Sequence, residues 1–185
     1  LLGLPVRSDA RPYFVAISPS IAADLLNTAQ TLGVSLGAYK EALSKIAAAK
    51  TAQVSGAKEA TLELFEIKAQ PAQNAFDALK PLLGDHIAVI PNEQFQELAK
   101  ELPVIARNHL ENGISKNLFY EEVLPRETRL WFMLGVPSDE LLHRDDKEEF
   151  YAGFKAFEEA LLGDTPQIGA NASVGYGLTK IKAFQ

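Results

Sequence analysis

The sequence predicts an α+β fold with an antiparallel or mixed sheet, on three observations. Short apolar runs of strand composition alternate with segments whose apolar residues recur at helical spacing. Hairpin signals recur, above all Asn112-Gly113 between two apolar stretches. The 185 residues, 47% of them hydrophobic, are enough for one real core and too few for a comfortable two. Zero cysteine removes disulfides, thiolate nucleophiles and cysteine-bound zinc. No apolar run is long enough to cross a membrane. The opening Leu1-Leu-Gly-Leu-Pro5 has no basic region before it and does not read as a signal peptide.

The elements follow in order. Tyr13 to Ile17 reads as a buried strand between Pro12 and Pro19. Ser20 is the expected cap of a helix with Ile21, Leu25, Ala29 and Leu32 on one face, stopped at Gly33. An Ala-rich helix is expected from about Leu36 to Lys50, and a polar loop from Thr51 to Lys58. Thr61 to Ile67 reads as one strand. Pro71 opens a helix bearing Ala75, Phe76, Leu79 and Leu83, ended by Gly84. His86 to Ile90 is a short strand, and Asn92 the expected cap of a helix with Phe95, Leu98 and Ala99 inward, broken at Pro103. Val104 to Tyr120 holds the hairpin signal. Thr128 to Leu134 reads as a central strand, Ser138 as the start of a long acidic helix with Phe150, Phe154, Phe157 and Leu161 at helical spacing, and Thr179 to Phe184 as a last strand.

A net charge of −6 and a pI near 5.1 at first disfavour a nucleic-acid binder. The charge is uneven, however. Residues 132–164 carry −6 by themselves, concentrated between Asp139 and Asp164, whereas residues 1–20 carry +1 and 165–185 carry +2. Both ends are locally basic.

Chemistry-bearing motifs are sparse. His86, His109 and His143 are scattered and lack metal-ligand spacing. No nucleophile elbow is present. Asp145-Asp-Lys-Glu-Glu149 reads as a solvated helix face, and Asn171-Ala-Ser173 as a chance match to a glycosylation acceptor. The sharpest feature is Ile168-Gly-Ala-Asn-Ala-Ser-Val-Gly-Tyr-Gly177, followed by Lys180 and Lys182. Glycine lets backbone N–H groups approach a phosphate closely, and lysine adds charge. The spacing is neither that of a Walker A loop nor that of a dinucleotide fingerprint. A phosphate site and an ordinary glycine-rich turn both remain open on spacing alone.

Four segments together resemble one family. Gln167 to Gly177 resembles the C-terminal glycine-rich loop of the RAMP superfamily of CRISPR proteins. Leu4-Pro-Val-Arg-Ser8, followed by a strand ending in Ser18-Pro19, resembles a motif of the repeating backbone subunit of the type III-B (Cmr) effector. Val89-Ile-Pro-Asn-Glu-Gln-Phe95 and Leu118-Phe-Tyr-Glu-Glu-Val-Leu-Pro125 are similar to later segments of that subunit, in the same order. The resemblance implies a single RAMP domain over 1–185 with a ferredoxin-like, RRM-like core, helical insertions and a protruding hairpin thumb over 104–125. It implies CRISPR guide RNA and target RNA as partners, stacked copies of the same chain, other effector subunits, a cytoplasmic setting without membrane, and a role in antiviral defence. RNA-contacting candidates carried over are Arg7, Ser8, Gly169, Asn171, Ser173, Gly175, Gly177 and Lys180, with Asn112 and Lys116 on the thumb. The acidic helix is then expected to face away from the guide.

The resemblance also implies target-RNA cleavage by some members with a divalent metal ion, Mg²⁺ or Mn²⁺. The family's usual aspartate precedes the Pro-Val-Arg-Ser motif. The expectation is therefore a domain lacking its first strand and loop, and no catalytic aspartate is carried over. Glu121 matches a thumb glutamate near the scissile phosphate and is the one catalytic candidate. Val123 stands where a tyrosine is usual, which counts against thumb-assisted chemistry. Two other readings compete: a structural RAMP paralogue that holds RNA without cutting, and an unrelated α+β enzyme whose glycine loop binds phosphate.

Overall fold

The structure, a computed structural model, describes residues 1–11, 13–63, 65–138, 140–141, 147–163 and 165–183. Two compact units result, residues 1–131 and 132–185.

The first unit is built on a six-stranded sheet. Its strands are β1 (Leu4–Val6), β2 (Phe14–Ile17), β3 (Gln53–Val54), β4 (Ala60–Leu62), β5 (Ile67–Pro71) and β6 (Ile87–Val89), in the order β1-β2-β6-β3-β5-β4. Across β1-β2-β6-β3 the pairings run antiparallel, parallel, antiparallel, the directions of a ferredoxin-like sheet. The sheet then curls until its edges meet. Beyond β1, Ser8 bridges Leu62 of β4, the Asp9 N–H donates to the Thr61 carbonyl at 3.2 Å, and the Glu63 N–H donates to the Arg7 carbonyl at 3.2 Å. Closure removes the unpaired edges that an open sheet would expose.

Curling gives the sheet two buried faces. Inside lie Leu4, Val6, Phe14, Ala16, Val54 and Leu62, and helix α4 (Asn92–Lys100) closes the space with Phe95 and Leu98. Val15, Ile17, Ile87 and Val89 point the other way and are buried as well. There α1 (Pro19–Thr31), α2 (Tyr39–Ala47) and the 3-10 turn Gln73–Leu79, which runs into α3 (Lys80–Leu83), contribute Leu25, Leu43, Ile46, Phe76, Leu79 and Leu83. β2 is buried at all four positions. Burial on both faces holds for β2 and β6, whereas β5 leaves Lys68 and Gln70 exposed on its outer face.

Several expectations shift by local chemistry. The cap of α1 is Ser18, whose Oγ accepts from Ile21 N–H at 3.4 Å, because Pro19 takes the first helical position. Pro91, not Asn92, precedes α4. The Asn92 side-chain Oδ1 instead accepts from Ser20 N–H at 2.9 Å and ties the starts of two helices together. Thr61 to Ile67 is a hairpin rather than one strand, turning through Glu66 at φ 50°. The expected loop over 51–58 contains β3, and the expected helix at Pro71 starts only after β5 ends there.

On α2, the Glu41 carboxyl lies below the usual carboxylate range, because Lys45 hydrogen-bonds it and adds charge 2.8 Å away. The sign follows from a depressed folded value: this exposed pair contributes fully above the ordinary carboxylate pKa and is lost as pH falls through the lowered one. On α3, Asp77 hydrogen-bonds Lys80 and raises its ammonium pKa in the same way.

Thr128 to Leu134 is not a strand. Only Arg129 pairs, with Gly3, through Arg129 N–H to the Gly3 carbonyl at 2.8 Å and Leu2 N–H to the Arg129 carbonyl at 2.7 Å. Alternation marks a tendency, but a strand needs a neighbour with free backbone groups. The same holds for Thr179 to Phe184, where the single bridge is Gln167 to Leu178; Phe184 lies outside the described residues.

In the second unit the described helix is α5 (Lys147–Gly163), on which Phe150 stacks on Phe154 with ring centres 6.4 Å apart. Ser138 begins a single turn, its carbonyl accepting from Leu141 N–H, rather than the long helix.

Candidate nucleic-acid interface

The hairpin is the most exposed element of the first unit. Strands β7 (Val104–Glu111) and β8 (Ile114–Glu122) pair antiparallel. Asn112 at φ 51° and Gly113 at φ 78° form the two-residue turn that requires positive φ at both positions, which is what Asn-Gly supplies. The register shifts between His109 and Leu110, leaving Lys116 as the extra residue of a bulge.

Pairing assigns the two faces of this ribbon. Val104, Ala106, Leu110, Leu118 and Tyr120 share one face. Leu110 and Leu118 are each 58% exposed and Tyr120 is 68% exposed. An apolar row of this kind, held out on a two-stranded ribbon, marks an interaction surface. The other face carries Arg107, His109, Lys116 and Glu121 beside Ile105 and Phe119.

Glu121 is not a lone strand-end charge. Arg107 Nη1 donates to its carboxylate at 2.9 Å, with both side chains about three-quarters buried. Lys116 faces Glu111 at 3.5 Å, while on the opposite face, among the apolar residues, Ser115 Oγ donates to the Asn108 side-chain Oδ1 at 2.8 Å. The charged face of the ribbon therefore satisfies much of its charge internally. In urea unfolding, Glu121→Gln is expected to cost no more than about 1 kcal/mol, since the pair still meets water over about a quarter of its surface and the amide keeps a hydrogen bond to Arg107.

At the seam of the sheet, Arg7 and Arg11 are exposed and lack a carboxylate partner among the described residues. Ser8, expected to touch RNA, is only 7% exposed. Its hydroxyl donates to the Arg11 carbonyl and accepts from Arg11 N–H, both at 3.1 Å. Arg11 escaped the sequence reading because it falls outside the Pro-Val-Arg-Ser motif. Arg107 escaped because its role depends on cross-strand register. Tyr120 escaped because composition shows an apolar strand without showing that both its faces meet solvent.

In the second unit the glycine-rich segment forms a closed loop. Asn171 (φ 65°), Gly169, Gly175 and Gly177 all take positive φ, and Ser173 lies in the 3-10 turn Ala172–Val174. The N–H groups of Val174 and Tyr176 donate to the Asn171 carbonyl, and that of Gly175 to the Ala172 carbonyl. The loop thus spends part of its donor set on itself. Gln167 Nε2 donates to the Tyr176 carbonyl at 2.6 Å. Lys180 is exposed beyond the loop.

No three His, Asp or Glu side chains converge as a cation site among the described residues. His143, Asp145 and Asp146 lie outside them, and Glu148 and Glu149 are exposed on α5. Among the described residues no donor set fits a divalent ion, and no cleavage step is assigned to them. Two shallow apolar depressions border α5, beside Phe150 and Phe154 and beside Phe157 and Pro166. Neither encloses a small molecule. No described helix is long and apolar enough to cross a membrane.

A curled ferredoxin-like sheet bearing a long exposed ribbon defines a class of fold, one found in solved structures. Solved structures place it further, in the fold of the type III-B Cmr4 (Cas7) subunits. A chain of the type III-B Cmr-beta complex bound to cognate target RNA superposes with a TM-score of 0.64 at 16% identity, over 96% of this chain and 65% of that one. The apo state of Cmr-beta gives 0.65 at 12% identity, over 98% and 67%. Oligomeric Cmr4 from Pyrococcus furiosus gives 0.57 at 22% identity, over 96% and 67%. The chain thus spans about two thirds of the length of these structures. No protein-family profile and no curated protein matches it.

Proposed function

We propose that this chain is the guide-RNA-binding backbone subunit of a type III-B CRISPR ribonucleoprotein, a cytoplasmic antiviral complex in which stacked copies hold guide RNA and position target RNA for cutting. The observation that carries this reading is the exposed ribbon, with Tyr120, Leu118 and Leu110 presented on one face of a fold shared with Cmr4. Apolar and aromatic side chains of this kind suit stacking against bases, and exposed Arg7, Arg11 and Lys180 suit phosphate. Both faces of β2 and β6 are covered, so bases would stack on the exposed ribbon rather than on these central strands.

The test is binding of the full-length protein to a single-stranded RNA of about 40 nucleotides across a salt series. Affinity is expected to fall steeply with salt, with several copies bound per RNA. No binding at low salt would refute the proposal. Tyr120→Ala is expected to weaken binding by about 1–3 kcal/mol, the contribution of one stacked base, at unchanged salt slope.

A further inference from the structure

The turn at the closing seam holds two cations that have no carboxylate partner among the described residues, by means of two short side chains. Ser8 uses its hydroxyl twice, as donor to the Arg11 carbonyl and as acceptor from Arg11 N–H, so residues 8 to 11 are stapled into one turn. Asp9 faces the neighbouring strand: its Oδ1 accepts from Thr61 N–H at 2.7 Å, while its own N–H donates to the Thr61 carbonyl. Between them they fasten the turn both internally and to β4. Arg7 and Arg11, at the two ends of this fastened stretch, face solvent with no acid beside them among the described residues.

Holding two guanidinium groups on one stiff turn lowers the entropy lost when both engage an anion. We infer that Ser8 and Asp9 are positioning residues that fix Arg7 and Arg11 as a paired phosphate contact, with Ser8 itself making no contact to RNA. The inference rests on the RNA-binding reading above.

Single-stranded RNA binding by the full-length protein, read as affinity and as salt slope, tests it. Arg7→Gln/Arg11→Gln is expected to flatten the salt slope by about 1.4, the value for two lost phosphate contacts. Ser8→Ala and Asp9→Ala are each expected to weaken binding by about three- to tenfold, whereas Ser8→Thr and Asp9→Asn, which keep the bonding oxygen, retain it. Added to the double arginine variant, Ser8→Ala should cost nothing further. A second readout is free of RNA: hydrogen exchange at Thr61 N–H should speed up in Asp9→Ala and stay slow in Asp9→Asn.

If Ser8→Ala weakens binding equally with and without the arginines, Ser8 touches RNA itself and the inference falls alone. It also falls if Thr61 N–H stays slow in Asp9→Ala. If the double arginine variant binds like the parent with the same slope, the paired contact falls with it. If the parent protein binds no RNA at low salt, the functional reading falls first.

Discussion

Phe14→Ala is expected to lower the unfolding free energy by about 3–5 kcal/mol. Phe14 is 0% exposed and sits inside the curl, on the strand paired by both β1 and β6. Its ring meets the His86 imidazole edge-on at 5.9 Å. Strands hydrogen-bonded on both sides cannot slide in to fill the gap, so the cavity cost adds to the lost transfer energy. A domain of ordinary stability, about 5–15 kcal/mol, would lose a third or more of it. Urea unfolding should show a lower midpoint at unchanged slope, and Phe14→Leu should lose much less. A loss below about 1 kcal/mol in Phe14→Ala would show that the curl relaxes around the gap.

Gly177→Ala is expected to open the glycine-rich loop, at a cost of at least about 2–3 kcal/mol. Gly177 has φ 76°, and a Cβ there would overlap the carbonyl oxygen of Ile168. That neighbour is backbone, so no rotamer change relieves the overlap. The same two residues are joined by the Ile168 N–H to Gly177 carbonyl bond at 2.9 Å, followed by Thr179 N–H to the Pro166 carbonyl at 2.9 Å. Pushing them apart breaks this short ladder. Gly175→Ala is the control. Gly175 also has positive φ but open space around it, so it should cost about 1 kcal/mol. Amide hydrogen exchange at Ile168 and Thr179 checks both, and protection unchanged in Gly177→Ala would rule out the close approach.

Much of the first unit was legible because its signals are local. The strand at Phe14–Ile17 and the strand at Ile87–Val89 are apolar runs bounded by breakers, and they were read within a residue or two. The turn at Asn112-Gly113 follows from the φ preferences of those two residues. The bulge at Lys116 did not, because bulges are set by how two strands share a register. β3 was missed inside a polar loop because it is two residues long and exists only through partners on both sides, β5 and β6. Thr128 to Leu134 and Thr179 to Ala183 differ in the opposite direction: good strand composition with no more than an isolated bridge at or beside each among the described residues.

Among the candidate contacts, glycine and asparagine at positive φ were legible by type, while the burial of Ser8 and its bonds to Arg11 were not. A serine beside an arginine in a motif says nothing about which way its hydroxyl faces. Burial turned it inward to Arg11.

The amino-acid sequence by itself determined the α+β class, the hairpin and its turn, the uneven charge and the glycine-rich loop. Each of these is written in side-chain type, local φ preference or short-range periodicity. Only the tertiary structure decided that the sheet curls closed, that both faces of β2 and β6 are covered, that Arg107 neutralises Glu121, and that Arg7 and Arg11, on a stapled turn, have no carboxylate partner among the described residues. The seam bond from Thr61 to Asp9 joins residues 52 apart in the chain. Pairings at that separation depend on how the whole sheet folds, and no local pattern encodes them.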